Sequence, residues 1–289
     1  MKIALGTVQF GLNYGISNQA GQVTHEEASG ILRLAKAHGI DTLDTAIGYG
    51  ESEQRLGEIG VQDWQIVTKL PAIPEDCTDI YHWVNNAIDE SLHRLKVSNL
   101  YGVLLHRPQQ LMEKGSDRLY FALQKLKDDK IVKKIGVSIY DPSELDALSD
   151  RYKFDLVQAP FNVIDRRLIE SGWMRKLSEQ GVELHVRSVF LQGLLLMSKK
   201  DRPAKFDRWN ELWKTWEDWL AASKLTTTEA CIRYVSSFPE ISQVIVGVDS
   251  RQQLSEIMAA SNGSMPELPS HISSNVLELL NPACWQKIA

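Results

Sequence analysis

The stretch Thr42-Leu43-Asp44-Thr45-Ala46-Ile47-Gly48-Tyr49-Gly50 decides how this chain is read. It starts as a short apolar strand and stops at a carboxylate, and further on a tyrosine stands between two glycines. Two more strand-like runs follow, Gln65-Ile66-Val67-Thr68-Lys69 and Tyr101-Gly102-Val103-Leu104-Leu105-His106. Each ends on a side chain that can hold or tune a proton. In a parallel barrel the C-terminal strand ends meet at one face, where catalysis sits. Asp44, Lys69 and His106, with Tyr49 in the first loop, can then converge despite their distance in sequence.

Working outward from this stretch, strands are expected at 2–7, 41–45, 65–70, 101–106, 135–138, 155–160, 183–189 and 243–247. Helical patterns lie between them. Thr24-His25-Glu26-Glu27 reads as a capping box, and Ala28, Ile31, Leu32 and Ala35 repeat at helical spacing up to Gly39. Further helices are expected at 52–59, 79–95, 117–129, 142–152, 168–180, 226–237 and 250–260, with a last one at 270–280. Strict strand–helix alternation implies a parallel sheet, and continuously apolar strands imply burial on both faces. Eight units in a chain of 289 residues fit a closed (β/α)8 TIM barrel of the α/β class. We read 1–289 as one such domain, with an inserted helical segment at 192–224 after strand seven. A doubly wound sheet would normally carry a Gly-x-Gly-x-x-Gly turn after a strand, and the sequence has none.

Composition narrows the function classes. Hydrophobic content of 43% and charged content of 24% are those of an ordinary globular protein. A net charge of −5 without a basic run argues against nucleic acid as a partner. No apolar run is long enough to span a bilayer and no signal core opens the chain, so no membrane partner and a cytoplasmic location are expected. Cys77, Cys231 and Cys284 are far apart and odd in number, which favours reduced thiols. The pattern leaves the oligomeric state open.

The strand ends then select among barrel chemistries. A metal-dependent hydrolase needs converging His and carboxylate ligands. The histidines are scattered, so no metal site is expected. A glycosidase needs two facing carboxylates, which strands four and seven lack. A Schiff-base enzyme needs a desolvated lysine, and Asp44 would hold Lys69 charged. Asp, Tyr, Lys and His together suit proton delivery to a carbonyl oxygen. A nearby ammonium is expected to lower the pKa of tyrosine, the aspartate fixes that ammonium, and the histidine orients the carbonyl. None of the four carries reducing power, so a hydride must come from a cofactor.

With those residues in place, the chain resembles the aldo-keto reductases over nearly its whole length. The matching pieces are Leu5-Gly6-Thr7, Asp44-Thr45-Ala46-x-x-Tyr49-Gly50, Thr68-Lys69, Leu104-Leu105-His106-Arg107-Pro108, Ile135-Gly136-Val137-Ser138, Val157-Gln158-x-Pro160-x-Asn162 and Leu191-Gln192-Gly193-Leu194-Leu195. The resemblance implies a catalytic tetrad of Asp44, Tyr49, Lys69 and His106. It implies reduction of an aldehyde or ketone, sugar-derived ones included, with Tyr49 as general acid and NADPH as cofactor. NADH is the second choice. Other readings are an NAD-dependent sugar or alcohol dehydrogenase, and a cofactor-binding redox-sensing or scaffold subunit with little turnover.

The resemblance also places the cofactor on Gly6, Thr7, Ser138, Gln158, Arg187, Ser188, Leu191, Gly193, Gly247, Arg251, Gln253 and Glu256. Four positions depart from the family pattern. Ile139 stands where an Asn is usual, Arg187 where many members place an aromatic, Ile257 where an Asn is usual, and Asp249 near a usual hydroxyl or cation. A carboxylate at Asp249 would repel a 2′-phosphate, while Arg251 could attract one. Asn13, Tyr14 and Trp213 are candidates for the substrate pocket. Trp209, Trp213, Trp216 and Trp219 share a helical face, which suits either core packing or a lid over the pocket.

Overall fold

The computed structural model describes residues 2–18 and 20–288. Eight parallel strands close into a barrel in sequence order. They are β1 (Ile3–Gly6), β2 (Thr42–Asp44), β3 (Gln65–Leu70), β4 (Leu100–Leu105), β5 (Val132–Ser138), β6 (Leu156–Pro160), β7 (Glu183–Arg187) and β8 (Gln243–Gly247). Closure is made by β1 against β8, with Gly6 opposite Gly247. The barrel interior holds Val67, Leu104 and Leu156, each fully buried. The larger apolar core lies between strands and surrounding helices, as the continuously apolar strands require.

Helix starts follow their caps. The Thr24 hydroxyl accepts from the Glu27 N–H at the start of His25–Ala37, and Thr226 and Glu229 form a reciprocal box at the start of Thr227–Ser236. Three expectations need correction. β5 begins at Val132, before the expected 135, because Lys133 and Lys134 look like loop residues while Lys134 pairs with Glu183 on β7. The helix expected at 168–180 is two short helices, Arg167–Glu170 and Trp173–Glu179, separated at Gly172 with φ 78°. The tail is helical only at Leu277–Leu280, followed by a 3-10 turn at Pro282–Lys287. Its earlier part is irregular chain with a turn at 269–272, tied down by long-range bonds: Ser274 N–H donates to Ile164 O, and Arg166 donates to Pro269 O and Ile272 O. These compete with helix formation and win.

The insertion after β7 contains a 3-10 segment Leu191–Leu196, a second at Ala204–Trp209 and the helix Asn210–Ser223. Trp213 and Trp216 are each 1% exposed. The Trp213 indole donates to Phe206 O at 2.9 Å, and the Arg202 guanidinium lies 4.4 Å from its ring centre. Trp213 and Trp216 are core side chains, Trp209 and Trp219 are half-buried against that core, and Trp213 is an anchor inside the insertion.

Candidate active site

The strand register sets the polar residues at one end of the barrel. On β2, Asp44 sits opposite Val67, and on β3, Lys69 sits opposite Leu104. His106 follows β4 directly and donates its backbone N–H to Leu70 O. Ser138 on β5 is opposite Gln158 on β6, and Pro160 is opposite Arg187 on β7. All are at C-terminal strand ends, so separations in sequence become short distances across one mouth. A cavity of about 480 Å³ opens there, within the range of small-molecule and cofactor sites. Asp44, Tyr49 and His106 line it together.

Behind that wall lies a buried network. Lys69 is 1% exposed and its ammonium donates to both Asp44 carboxylate oxygens, at 2.8 and 2.7 Å, and to Thr45 O at 2.8 Å. Gln158 donates its amide N–H to Asp44 Oδ1 at 2.6 Å and accepts from the Ser138 hydroxyl at 3.1 Å. The carboxylate fixes which way the Gln158 amide faces. Ser138, Gln158, Asp44 and Lys69 thus form one chain of hydrogen bonds across four strands. Tyr49 packs in front of it, with the Lys69 ammonium 5.0 Å from its ring centre. The His106 ring meets Tyr49 edge to face, 5.9 Å between centres at 79°.

Charge and burial set the protonation of the front pair. Burial, followed by the Asp44 carboxylate, raises the Tyr49 phenol above its ordinary pKa. This corrects the expectation that Lys69 lowers it: all three ammonium N–H bonds face Asp44 and Thr45. Burial also draws Lys69 below its ordinary pKa, with Asp44 pulling in the opposite direction. His106 is lowered to about 4, first by burial and then by the Lys69 and Arg187 cations. At neutral pH the wall therefore presents a protonated phenol and a neutral imidazole.

The loop carrying Tyr49 depends on a close backbone approach. A Cβ at Gly11 would lie 1.8 Å from Tyr49 O and 2.6 Å from Ser52 N. Gly11 ends the short helix Val8–Gly11, which packs directly on this loop. The glycine therefore lets the first strand–helix connection press Tyr49 toward the barrel axis.

Of the residues expected to hold a cofactor, Gly6, Thr7, Ser138, Gln158, Arg187, Ser188, Gly193, Gly247, Gln253 and Glu256 line the cavity. Leu191 is fully buried behind it and Arg251 lies outside it. Arg251 is held on the helix His25–Ala37: its guanidinium pairs with Glu27 at 2.9 Å, and its stem lies over Gly30. Tyr14 lines the cavity, whereas Asn13 is exposed outside it and Trp213 is in the core of the insertion. Ile139 is fully buried and its carbonyl accepts from Arg187. Arg187 also stacks on Tyr140, 4.6 Å from guanidinium to ring centre.

Gln9, Ser17, Asn18, Tyr140, Phe190, Gln192, Leu196 and Thr228 complete much of the wall and escape a reading by strand ends. Tyr140 had a signal, an aromatic two residues past Ser138. Ser17 and Asn18 had none, because the loop bearing them reaches the site through long-range bonds. Ile16 N–H donates to Gln192 O, Gln192 donates to the Tyr14 hydroxyl, and Asn18 donates to Asp249.

The cavity fits a nicotinamide dinucleotide on the observations of its wall. Gly6 and Gly247 line it, and the Gln9 side chain packs over Gly247, where a Cβ would meet Gln9 Nε2 at 2.4 Å. The buried Gln9 Oε1 lacks a hydrogen-bond partner. Among the described residues no cluster of His, Cys, Asp and Glu could hold a metal ion, and no helix is long and apolar enough to cross a membrane.

Residues 2–267 match the model of the aldo/keto reductase family. The chain is 25% identical over 181 residues to aldo-keto reductase YhdN of Bacillus subtilis, spanning 59% of this chain and about half, 53%, of that protein. In fold it is similar to aldo-keto reductase AKR11C1 from Bacillus halodurans, with a TM-score of 0.72 and 20% identity, covering 92% of this chain and 88% of that one. It is also similar to PA4992 from Pseudomonas aeruginosa, with a TM-score of 0.66 and 23% identity over 90% and 89% of the two chains. At such identities these solved structures bear on the fold alone, while the family match spans most of the sequence. The chain belongs to the aldo/keto reductase family, a family of oxidoreductases that act with nicotinamide cofactors.

Proposed function

We propose that this enzyme reduces an aldehyde or ketone to the alcohol, with Tyr49 as the general acid. The observation that carries the reading is the pairing of Tyr49 and His106 on one cavity wall, backed by the buried Asp44–Lys69 pair. A reduced nicotinamide supplies a hydride to the carbonyl carbon when bound. The carbonyl oxygen then takes the phenolic proton of Tyr49, so the new C–H and O–H bonds form while the C=O double bond becomes single. Burial keeps that proton on the phenol until the substrate oxygen becomes basic. The uncharged His106 imidazole can donate a hydrogen bond to the same oxygen and orient it. The Lys69 cation, close to the Tyr49 ring, offsets the phenolate left behind.

Gly6, Thr7, Gly193 and Gly247 would hold the dinucleotide along the cavity, with Ser138 and Gln158 beneath its reactive end. The substrate side is bordered by Tyr14, Tyr140 and Leu196, exposed by 39%, 36% and 42%, an apolar rim. This suits a small carbonyl compound with apolar or ring substituents.

The test is Tyr49→Phe. It should lower kcat for a panel of simple aldehydes by at least about 10²-fold, the range of general acid help. Binding of reduced cofactor, followed by fluorescence, should change little. Turnover close to that of the unaltered enzyme would overturn the assignment.

A further inference from the structure

From the charges lining the cavity we infer that this enzyme selects NADH over NADPH. The inference rests on the reading above, in which the reactive end of the cofactor lies beside Tyr49. The adenosine must then occupy the arm of the cavity away from the barrel axis. The residues away from the barrel strands that line the cavity include Thr228, at the start of helix Thr227–Ser236, and Gln253, Glu256 and Ile257 on helix Arg251–Ala260. Asp249 lines the cavity as well.

The polar groups along this arm are wrong for a phosphate and right for a ribose diol. Asp249 and Glu256 are carboxylates, and among the described residues neither is paired with a cation. Asp249 meets neutral amides, Asn18 Nδ2 at 3.3 Å and the Gln253 side chain, and Glu256 accepts from the Gln252 amide at 2.9 Å. A carboxylate accepts hydrogen bonds from ribose hydroxyls, which is how NAD is told from NADP elsewhere, whereas a 2′-phosphate brings further negative charge against it. Among the described residues the single Lys or Arg side chain in the wall is Arg187, which lies by Tyr140.

The obvious cation for a 2′-phosphate is Arg251, and the fold has committed it elsewhere. Its backbone N–H donates to Glu27 Oε1 at 2.6 Å and its guanidinium pairs with Glu27 Oε2 at 2.9 Å. Gly30, in mid-helix, makes the room: a Cβ there would sit 2.7 Å from Arg251 Cδ. Glycine within a helix is unfavourable relative to alanine. Here it lets the arginine lie flat against its carboxylate, away from the cavity. The NADPH preference expected from the resemblance is therefore opposed by the charges in place.

Equilibrium titration with NADH and with NADPH, read by nicotinamide emission, tests this without turnover. NADH should bind at least about tenfold more tightly at low salt, a difference of about 1.4 kcal/mol. Added salt should narrow the ratio by screening the carboxylates. Asp249→Asn should tighten NADPH, and so should Glu27→Gln, which releases Arg251. Equal or tighter binding of NADPH by the unaltered enzyme overturns the inference and leaves the proposed reaction standing. Binding of neither cofactor overturns the proposed reaction, and the selectivity with it. Where Asp249→Asn folds poorly, the salt series and Glu27→Gln decide the question.

Discussion

Lys69 grips Asp44 through both carboxylate oxygens, at 2.8 and 2.7 Å, and gives its remaining N–H to Thr45 O. The pair is buried, with side-chain exposures of 1% and 6%. The ammonium thus acts on Tyr49 as a nearby charge, with no N–H left to donate. Its first duty is to make a carboxylate tolerable inside the barrel mouth, and its second is to face the phenol.

From this pairing we expect an asymmetry in stability. Asp44→Asn leaves a buried ammonium without its counter-charge, and Lys69→Met leaves a buried carboxylate. Each should cost about 3–5 kcal/mol, the range for breaking a buried pair from one side. The double variant should be more stable than the sum of the two losses implies, since no lone charge remains. Urea unfolding of the four proteins checks this, and additive losses would show that the two side chains are not coupled. Turnover should stay low in the double variant, because Tyr49 then lacks the Lys69 cation beside its ring.

His106 should remain neutral down to about pH 4. Its folded pKa lies below the ordinary 6.5. Between those two values the unfolded chain binds a proton that the folded chain refuses, so folding stability falls as pH drops through this window. Above it neither state carries the proton and this contribution is fully present. Ring titration by NMR should give a midpoint near the lower value, and Arg187→Met should raise it by removing one of the cations that depress it. A His106 midpoint near 6.5 would show a solvated ring that does not face the cavity as described.

Trp213 separates packing from a lid. Its indole is buried and bonded to Phe206 O. Trp213→Ala should destabilise the protein by about 3–5 kcal/mol, as expected for a large core truncation. KM for a carbonyl substrate should move little in the fraction that remains folded. A selective rise in KM with unchanged unfolding would place the ring at the substrate instead.

Periodicity in the sequence was enough to predict the barrel, because alternating strands and helices with apolar strands leave a closed parallel sheet as the economical burial. The polar strand ends Asp44, Lys69 and His106 were legible for the same reason. A charged or titratable group at the end of an apolar run marks the barrel mouth, and the register of β2, β3 and β4 brings these three together. A local signal also carried the cap at Thr24.

What the tertiary structure alone decided lies in long-range pairing. The order Thr42 to Gly50 names Asp44 and Tyr49. It does not say that Gln158, far along the chain, donates to that carboxylate, or that Gly11 presses on the Tyr49 carbonyl. The shift of Tyr49 reverses the expectation from sequence because burial, a property of the whole fold, joined by the Asp44 carboxylate, outweighs the Arg187 cation. Arg251 reads as a phosphate ligand until the helix His25–Ala37 is set beside it and Glu27 takes its charge. Residue type gives the chemistry a position can perform; packing decides which partner that chemistry meets.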